Sequence, residues 1–111
     1  MRGGTYCRFA FAVALALCGG AVNAWAKPAL CYTSDDGEYA CQFHSTGGDG
    51  SFEITAPGKP TYSLVMSEPG VAFGFVNFGD RNVALPGSYI RSDEDGACWV
   101  NDATNAKICA H

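Results

Sequence analysis

Three Pro-Gly dipeptides divide the second half of this 111-residue chain into short runs, and this spacing limits its fold more than any other feature. They are Pro57-Gly58, Pro69-Gly70 and Pro86-Gly87. Proline fixes φ at the first central position of a type II turn, and glycine supplies the positive φ at the second, so each dipeptide predicts a tight turn. Glycine and proline recur too often after residue 26 for a helix to form, and no helix cap precedes a run of helical period.

The runs between the turns alternate apolar and polar residues with a period of two, which is typical of strands with one buried face. The predicted strands cover residues 38–44, 51–56, 61–66, 71–78, 82–85, 88–91 and 97–100. We therefore expect an all-β fold, a small antiparallel β-barrel or sandwich of about six to eight short strands. At this length the strands belong to one domain.

The first 26 residues have the three-part organisation of a cleavable secretory signal peptide. Arg2 and Arg8 are positive, residues 9–17 form an unbroken apolar run, and Ala24 and Ala26 are small residues at the positions that a signal peptidase reads. The apolar run is less than half of the roughly 20 residues that a spanning helix needs, so no stable membrane span is expected. We predict a signal peptide at residues 1–26, one domain at residues 27–111, and a periplasmic or extracellular location.

An alternative for this segment is a lipoprotein box ending at Cys18, although such a box requires a small residue where the chain has Leu17.

Removal of the signal peptide leaves five basic and eleven acidic residues, a net charge of −6. This balance disfavours nucleic acid and anionic membranes as partners and suits a cationic partner. We expect the partner to be another exported protein or a small ligand.

The predicted domain contains four cysteines, Cys31, Cys41, Cys98 and Cys109. An even number of cysteines in a small exported domain indicates disulfides, for which three connectivities exist. The spacing favours pairing 31 with 41 and 98 with 109, because each pair encloses its own turn, Asp36-Gly37 in the first case. No C-x-x-C motif occurs and histidines are scarce, so structural disulfides are favoured over a metal or redox site.

One predicted strand, residues 71–78, has two apolar faces. Val71, Phe73 and Phe75 share one face, and smaller residues dominate the other. A domain of this size covers only one face of a strand well, so either the sheet folds over the strand or one face contacts a ligand or partner. We favour a core position for the phenylalanine side, with the small side against a neighbouring strand.

Four residues form a candidate recognition patch: Arg81, Tyr89, Arg91 and Trp99. Arginine, tyrosine and tryptophan dominate the energetics of protein interfaces. The favoured alternative is that the two aromatic residues are core or edge packing and that each arginine pairs with a local acid.

Groups for catalysis or metal binding are few. No nucleophile motif occurs, and the domain has only two histidines, His44 and His111, so neither an enzyme nor a cofactor is expected. Asp93 and Asp95 are weak calcium candidates, because they precede a glycine in an acidic turn. They do not begin an EF-hand loop, since the twelfth position counted from Asp93 is Thr104 rather than glutamate.

The tripeptide Tyr39-Ala40-Cys41, the terminal Cys109, the export signal and the size resemble the periplasmic inhibitors of C-type lysozyme. The resemblance implies a small exported β-barrel that inserts a loop into the lysozyme cleft. The Ser-Gly-x-x-Tyr segment of that family is absent, since the nearest stretch, residues 86–89, has another order and spacing. No inhibitory residue is carried over.

Two functions remain after these considerations. The first is a non-catalytic exported binding or interaction protein that uses the arginine and aromatic patch or the apolar strand 71–78. The second is an inhibitor of a secreted hydrolase such as a C-type lysozyme, which a rigid, protruding loop at residues 45–50 or 92–97 would favour.

Overall fold

The computed structural model of the chain describes residues 26–111, which form nine β-strands and no helix. The strands are β1 Ala26–Thr33, β2 Gly37–Ser45, β3 Phe52–Thr55, β4 Thr61–Glu68, β5 Val71–Asn77, β6 Asn82–Ala84, β7 Tyr89–Arg91, β8 Cys98–Asn101 and β9 Lys107–Ala110. The predicted signal peptide lies outside the described residues except for Ala26, which begins β1. Within residues 26–111 no segment has the helical length and apolarity that crossing a bilayer requires.

Eight of the strands close into an antiparallel barrel. Their order is β4-β3-β2-β1-β9-β8-β7-β5, and pairing between β4 and β5 closes the ring. The short strand β6 pairs only with the second half of β5, whose first half pairs with β7. The prediction of a small all-β antiparallel barrel or sandwich is confirmed, and of the two architectures the structure has the barrel, with β6 as an addition outside the closed ring.

The Pro-Gly turns have the backbone conformation that the sequence predicts. Gly58, Gly70 and Gly87 have φ angles of 77°, 80° and 64°, a region that glycine enters without steric penalty. The turn at Gly70 joins β4 to β5 and so forms the hairpin that closes the barrel.

Both predicted disulfides are present. Cys31 bonds to Cys41, and Cys98 bonds to Cys109, within the two predicted hairpins. All four of these cysteines are buried, and Cys98 and Cys109 are directly opposite each other on β8 and β9. Two disulfides within one small chain are typical of an oxidising, exported compartment.

The orientation of β5 differs from the expectation that its phenylalanine side is core. Ala72 and Val76 face the barrel interior, while Phe73 points outward and is 50% exposed. The cause is Tyr89, whose buried ring lies against Gly74: a Cβ built at Gly74 would be only 2.5 Å from the Tyr89 Cε1 atom. Only small residues of β5 fit beside that ring, so the expected burial of the phenylalanine side is wrong.

Antiparallel strands place successive connections alternately at the two ends of the barrel. We call one end the loop end: it carries residues 46–51, 69–70 and 92–97, together with the chain terminus at His111. The other end, the turn end, carries residues 34–36, 56–60, 78–81 and 102–106, and the segment 85–88 lies towards it. The largest fully buried apolar side chains of the core are Ile54, Leu64 and Ile108.

Candidate binding surfaces

Apolar side chains form a continuous surface on the outside of the barrel, and we call it the side-wall patch. Its members lie on the outer side of β4, β5 and β7: Val65, Val71, Phe73, Phe75 and Ile90. Cross-strand pairing joins them, because Val65 is opposite Phe73 and Val71 is opposite Ile90. Phe73, Val65 and Ile90 are 50%, 43% and 39% exposed, so the patch faces solvent at its centre.

The side-wall patch carries almost no charge. The fifteen residues of β4 and β5 include a single charged residue, Glu68, at the turn. Thr61 and Ser63 lie on the outer side of β4 with Val65, so hydroxyl groups rather than ions border the apolar centre. The domain as a whole has six more acidic than basic residues, so this uncharged face differs from the average surface of the domain.

A pocket of about 300 Å³ opens at the loop end, and we call it the loop-end pocket. Its aromatic lining is Phe43, Phe52 and Trp99, and the two phenylalanine rings stack with their centroids 5.0 Å apart. Arg91 also lines the pocket, with its guanidinium carbon 5.1 Å from the centre of the Trp99 ring. This distance is within the range of a cation–π interaction.

Of the described residues, none forms an ion pair with Arg91, since the two pairs found there are Lys59–Asp36 and His111–Asp95. Arg91 is exposed, while Trp99 beneath it is buried. The loop-end pocket therefore combines an apolar interior with one cation at its edge.

The neighbouring loop, residues 92–97, is held in place by its own hydrogen bonds. The Ser92 hydroxyl oxygen accepts the N–H of Glu94 at 3.1 Å and that of Asp95 at 3.3 Å. One carboxylate oxygen of Asp95 accepts the N–H of Ala97 at 3.0 Å, and the other lies 2.8 Å from Nε2 of His111. The His111 ring and the Ala97 N–H lower the pKa of the Asp95 carboxyl group.

The same contacts bear on the calcium candidates. Asp95, Cys98 and His111 place ligand-type atoms within 4.8 Å of one another, but the Cys98 sulfur belongs to a disulfide. Both carboxylate oxygens of Asp95 already have partners, and Asp93 is exposed and outside this group. The arrangement anchors a loop to the chain terminus and does not resemble the oxygen-rich shell of a calcium site.

The four residues of the predicted recognition patch do not form one surface. Arg91 and Trp99 meet at the loop end, whereas Arg81 is exposed in the β5–β6 turn at the opposite end. Strand β5 separates these ends by seven residues, or roughly 20 Å at the usual rise per residue. Tyr89 is 3% exposed and packs in the core against Gly74.

A second cavity, of about 170 Å³, lies at the turn end between Tyr62, Tyr89 and Asn101. Sequence patterns gave no sign of the polar contacts beside it. The Tyr62 hydroxyl donates to Asp36 at 3.1 Å, and burial raises the pKa of Tyr62 to about 12. Asn101 donates to the carbonyl of Pro86 at 2.7 Å. These contacts tie the turns at this end of the barrel together.

His44 is the histidine that a catalytic function would require in a pocket beside a carboxylate. Its Nε2 atom lies 3.3 Å from the Thr55 hydroxyl, and Glu53 is opposite it on β3. Five cavities among residues 26–111 have linings that do not include His44.

The chain was compared with protein-family models, with curated proteins and with solved structures, and no match was found in any of the three.

Proposed function

We propose that this chain is an exported, non-catalytic binding protein that recognises another protein through the side-wall patch. The observation that carries the proposal is the half-exposed Phe73 at the centre of that patch. Isolated exposed apolar residues are ordinary on protein surfaces, but a contiguous apolar patch marks an interaction site. Here cross-strand pairing makes the patch contiguous over β4, β5 and β7.

The chemistry of the patch indicates which partner surface fits it. Charged groups placed on the patch would lose hydration without gaining an oppositely charged partner, which is costly. The fitting surface is therefore apolar and uncharged at its centre, with hydrogen-bonding groups that meet Thr61 and Ser63 at the border. A second copy of this chain is disfavoured, since both copies would carry a net charge of −6.

Matched substitutions of two phenylalanines test the proposal. Phe73→Glu places a charge in the patch, while Phe78→Glu makes the same chemical change in the β5–β6 turn, where Phe78 is 75% exposed. Residues 26–111 contain the whole barrel and both disulfides, so this oxidised fragment is suitable for immobilisation. The partner is captured from an extract of exported proteins, purified, and its affinity for each variant measured by calorimetry.

We expect the purified partner to bind the unmodified barrel and Phe78→Glu equally and to bind Phe73→Glu at least about tenfold more weakly, as for an interface hot spot. Equal binding to both variants, or no capture at all, would contradict the proposal. Sedimentation of the barrel alone shows whether a second copy occupies the patch instead. Thermal unfolding of both variants controls for a loss of structure.

A second candidate function, inhibition of a secreted hydrolase such as a C-type lysozyme, is favoured by the loop at residues 92–97. Its internal hydrogen bonds and the contact between Asp95 and His111 preorganise this loop at the loop end. Asp93 and Glu94 on it are exposed. A rigid acidic loop suits a cationic cleft, because little conformational entropy is lost on binding and the charges are complementary.

Lysozyme hydrolysis of bacterial cell walls, followed with increasing amounts of residues 26–111, tests this candidate. Asp93→Asn removes one charge from the loop, and Asp80→Asn removes the same charge from the turn end as a control. Inhibition weakened by Asp93→Asn and unchanged by Asp80→Asn is the expected result. Undiminished hydrolysis, or equal effects of the two substitutions, would exclude this mode of inhibition.

A further inference from the structure

The loop-end pocket offers a site for a small molecule, at a part of the barrel distinct from the side-wall patch. We propose that this pocket binds a small apolar monocarboxylate, whose carboxylate pairs with Arg91 and whose apolar part lies among Phe43, Phe52 and Trp99. This inference goes beyond the proposed function and does not depend on it.

The position of Arg91 is the first support. Its guanidinium carbon lies over the Trp99 ring, 5.1 Å from the ring centre, and Arg91 lines the pocket, so a planar group with five N–H donors is at the pocket edge. A planar fork of N–H donors matches the two oxygens of a carboxylate. The cation–π contact with Trp99 restricts the side chain before a ligand arrives, so less conformational freedom is lost when the ligand binds.

The absence of a competing acid is the second support. No carboxylate within residues 26–111 lies within ion-pair distance of Arg91, although that part of the chain has eleven acidic residues. The nearby acid Asp95 is instead directed to His111. The cation at the edge of the pocket is thus free to bind an external anion.

The lining of the pocket defines the apolar part of the ligand. Besides the three aromatic rings, the small residues Ala97 and Ala110 complete the wall. A volume of about 300 Å³ is at the lower end of the range for ligand pockets, so it fits a single small molecule rather than a polymer. Mouths of β-barrels are also frequent places for such sites.

Two glycines keep the pocket open. Gly50 and Gly96 both line it, and a Cβ built at Gly96 would meet nothing within 4 Å. The residues that the two loops contribute to the lining are Gly50, Gly96 and Ala97, so the loops add no bulky side chain to the pocket wall.

Charge selects a monoanion over a more highly charged ligand. Arg91 supplies one positive charge, while the loop beside it carries Asp93, Glu94 and Asp95. A second negative charge on the ligand would face these acids without a cation of its own. A single carboxylate on an apolar body is therefore the best match.

The fluorescence of Trp99 provides a direct measurement, because Trp99 is the only tryptophan in residues 26–111. The probes are 4-phenylbutyrate and its uncharged amide, which share the same apolar body. We expect a saturable change in Trp99 emission and about tenfold tighter binding of the carboxylate than of the amide, as for one charge-assisted hydrogen-bonded pair.

Arg91→Gln and Arg81→Gln are matched substitutions at the two ends of the barrel, and both arginines are exposed. The first should reduce carboxylate binding to the level of the amide, and the second should leave it unchanged. Calorimetric titration gives the same comparison without relying on emission, and unfolding curves show whether the variants are folded. No saturable binding of the carboxylate, or equal binding by Arg91→Gln, would overturn the proposal.

The side-wall patch offers an additional comparison. Phe73 does not line the loop-end pocket, so Phe73→Glu should leave the affinity for phenylbutyrate unchanged while it weakens binding of the protein partner. A loss of probe binding in Phe73→Glu would place the probe on the side wall and would contradict the assignment to the loop-end pocket.

Discussion

The substitution Gly74→Ala tests the packing that determines which side of β5 faces the core. A Cβ at this position would lie 2.5 Å from Cε1 and 2.8 Å from Cδ1 of Tyr89, and 3.3 Å from Cδ1 of Leu85. The first two distances are far below van der Waals contact, and the Tyr89 ring is 3% exposed. The added methyl group therefore forces a buried ring to move.

Two opposing effects determine how much Gly74→Ala changes the free energy of unfolding. Overpacking of a core typically costs about 1–3 kcal/mol, and Tyr89 has some room because it borders the turn-end cavity, so we take about 2 kcal/mol. Replacement of a strand glycine by alanine regains roughly 0.5 kcal/mol, since the unfolded chain loses conformational freedom. The net loss in the free energy of unfolding is about 1.5 kcal/mol, or a Tm lowered by roughly 6–12 °C for a domain of this size.

Urea unfolding of residues 26–111, followed by Trp99 fluorescence and repeated by thermal circular dichroism, measures this loss. Gly96→Ala is the control, because a Cβ there meets nothing within 4 Å and its φ lies outside the left-handed region. In a Tyr89→Leu background, Gly74→Ala should be less destabilising, because the clashing ring is gone. If Gly74→Ala is as stable as Gly96→Ala, the packing argument for β5 is refuted.

Two further predictions concern titrating groups. Because burial raises the pKa of Tyr62 from 10.0 to about 12, the unfolded chain loses this proton first, so the free energy of unfolding is unaffected below pH 10 and falls between about pH 10 and 12. In Tyr62→Phe the free energy of unfolding, measured with urea at several pH values across that range, should fall less steeply with pH. An identical dependence on pH in the variant and the unmodified domain would contradict a raised pKa of Tyr62. His111→Ala should raise the lowered pKa of Asp95 towards its ordinary value of 3.8 and increase amide exchange in residues 92–97, both measurable by NMR. An Asp95 pKa that does not move would show that His111 does not hold the loop.

Local sequence patterns were sufficient for the main features of this fold. The Pro-Gly turns, the alternating runs and the cysteine spacing each depend on residues close in sequence. They predicted an all-β barrel or sandwich and both disulfides. The orientation of β5 was not predictable in this way, because it depends on Tyr89, a residue 15 positions away from Gly74 that packs on it from another strand. The period of two shows which residues share a face but not which face is buried when both are apolar.

The candidate sites also depend on contacts between distant residues, which local sequence patterns do not reveal. Arg91 and Trp99 were identified by residue type, and their contact follows from the pairing of β7 with β8, where the two are directly opposite. Arg81 has the same chemistry but lies at the other end of the barrel, a separation that composition cannot reveal. Phe43 and Phe52 enter the loop-end pocket from strands that the sequence did not connect to Arg91.

The pairing between the first and last strands has a consequence for the order of folding. Strand β9 is inserted between β1 and β8, and the backbones of Leu30 and His111 exchange two hydrogen bonds, of 2.9 Å and 2.8 Å. A nascent chain that lacks residues 107–110 can form the β1–β2 hairpin but cannot close the ring. Contacts between such distant parts of a sequence form slowly, because a long loop must be ordered before they are gained. Docking of β9 between β1 and β8 therefore completes the barrel and brings Cys109 to Cys98, so closure of the ring and formation of the second disulfide belong to one late step of folding.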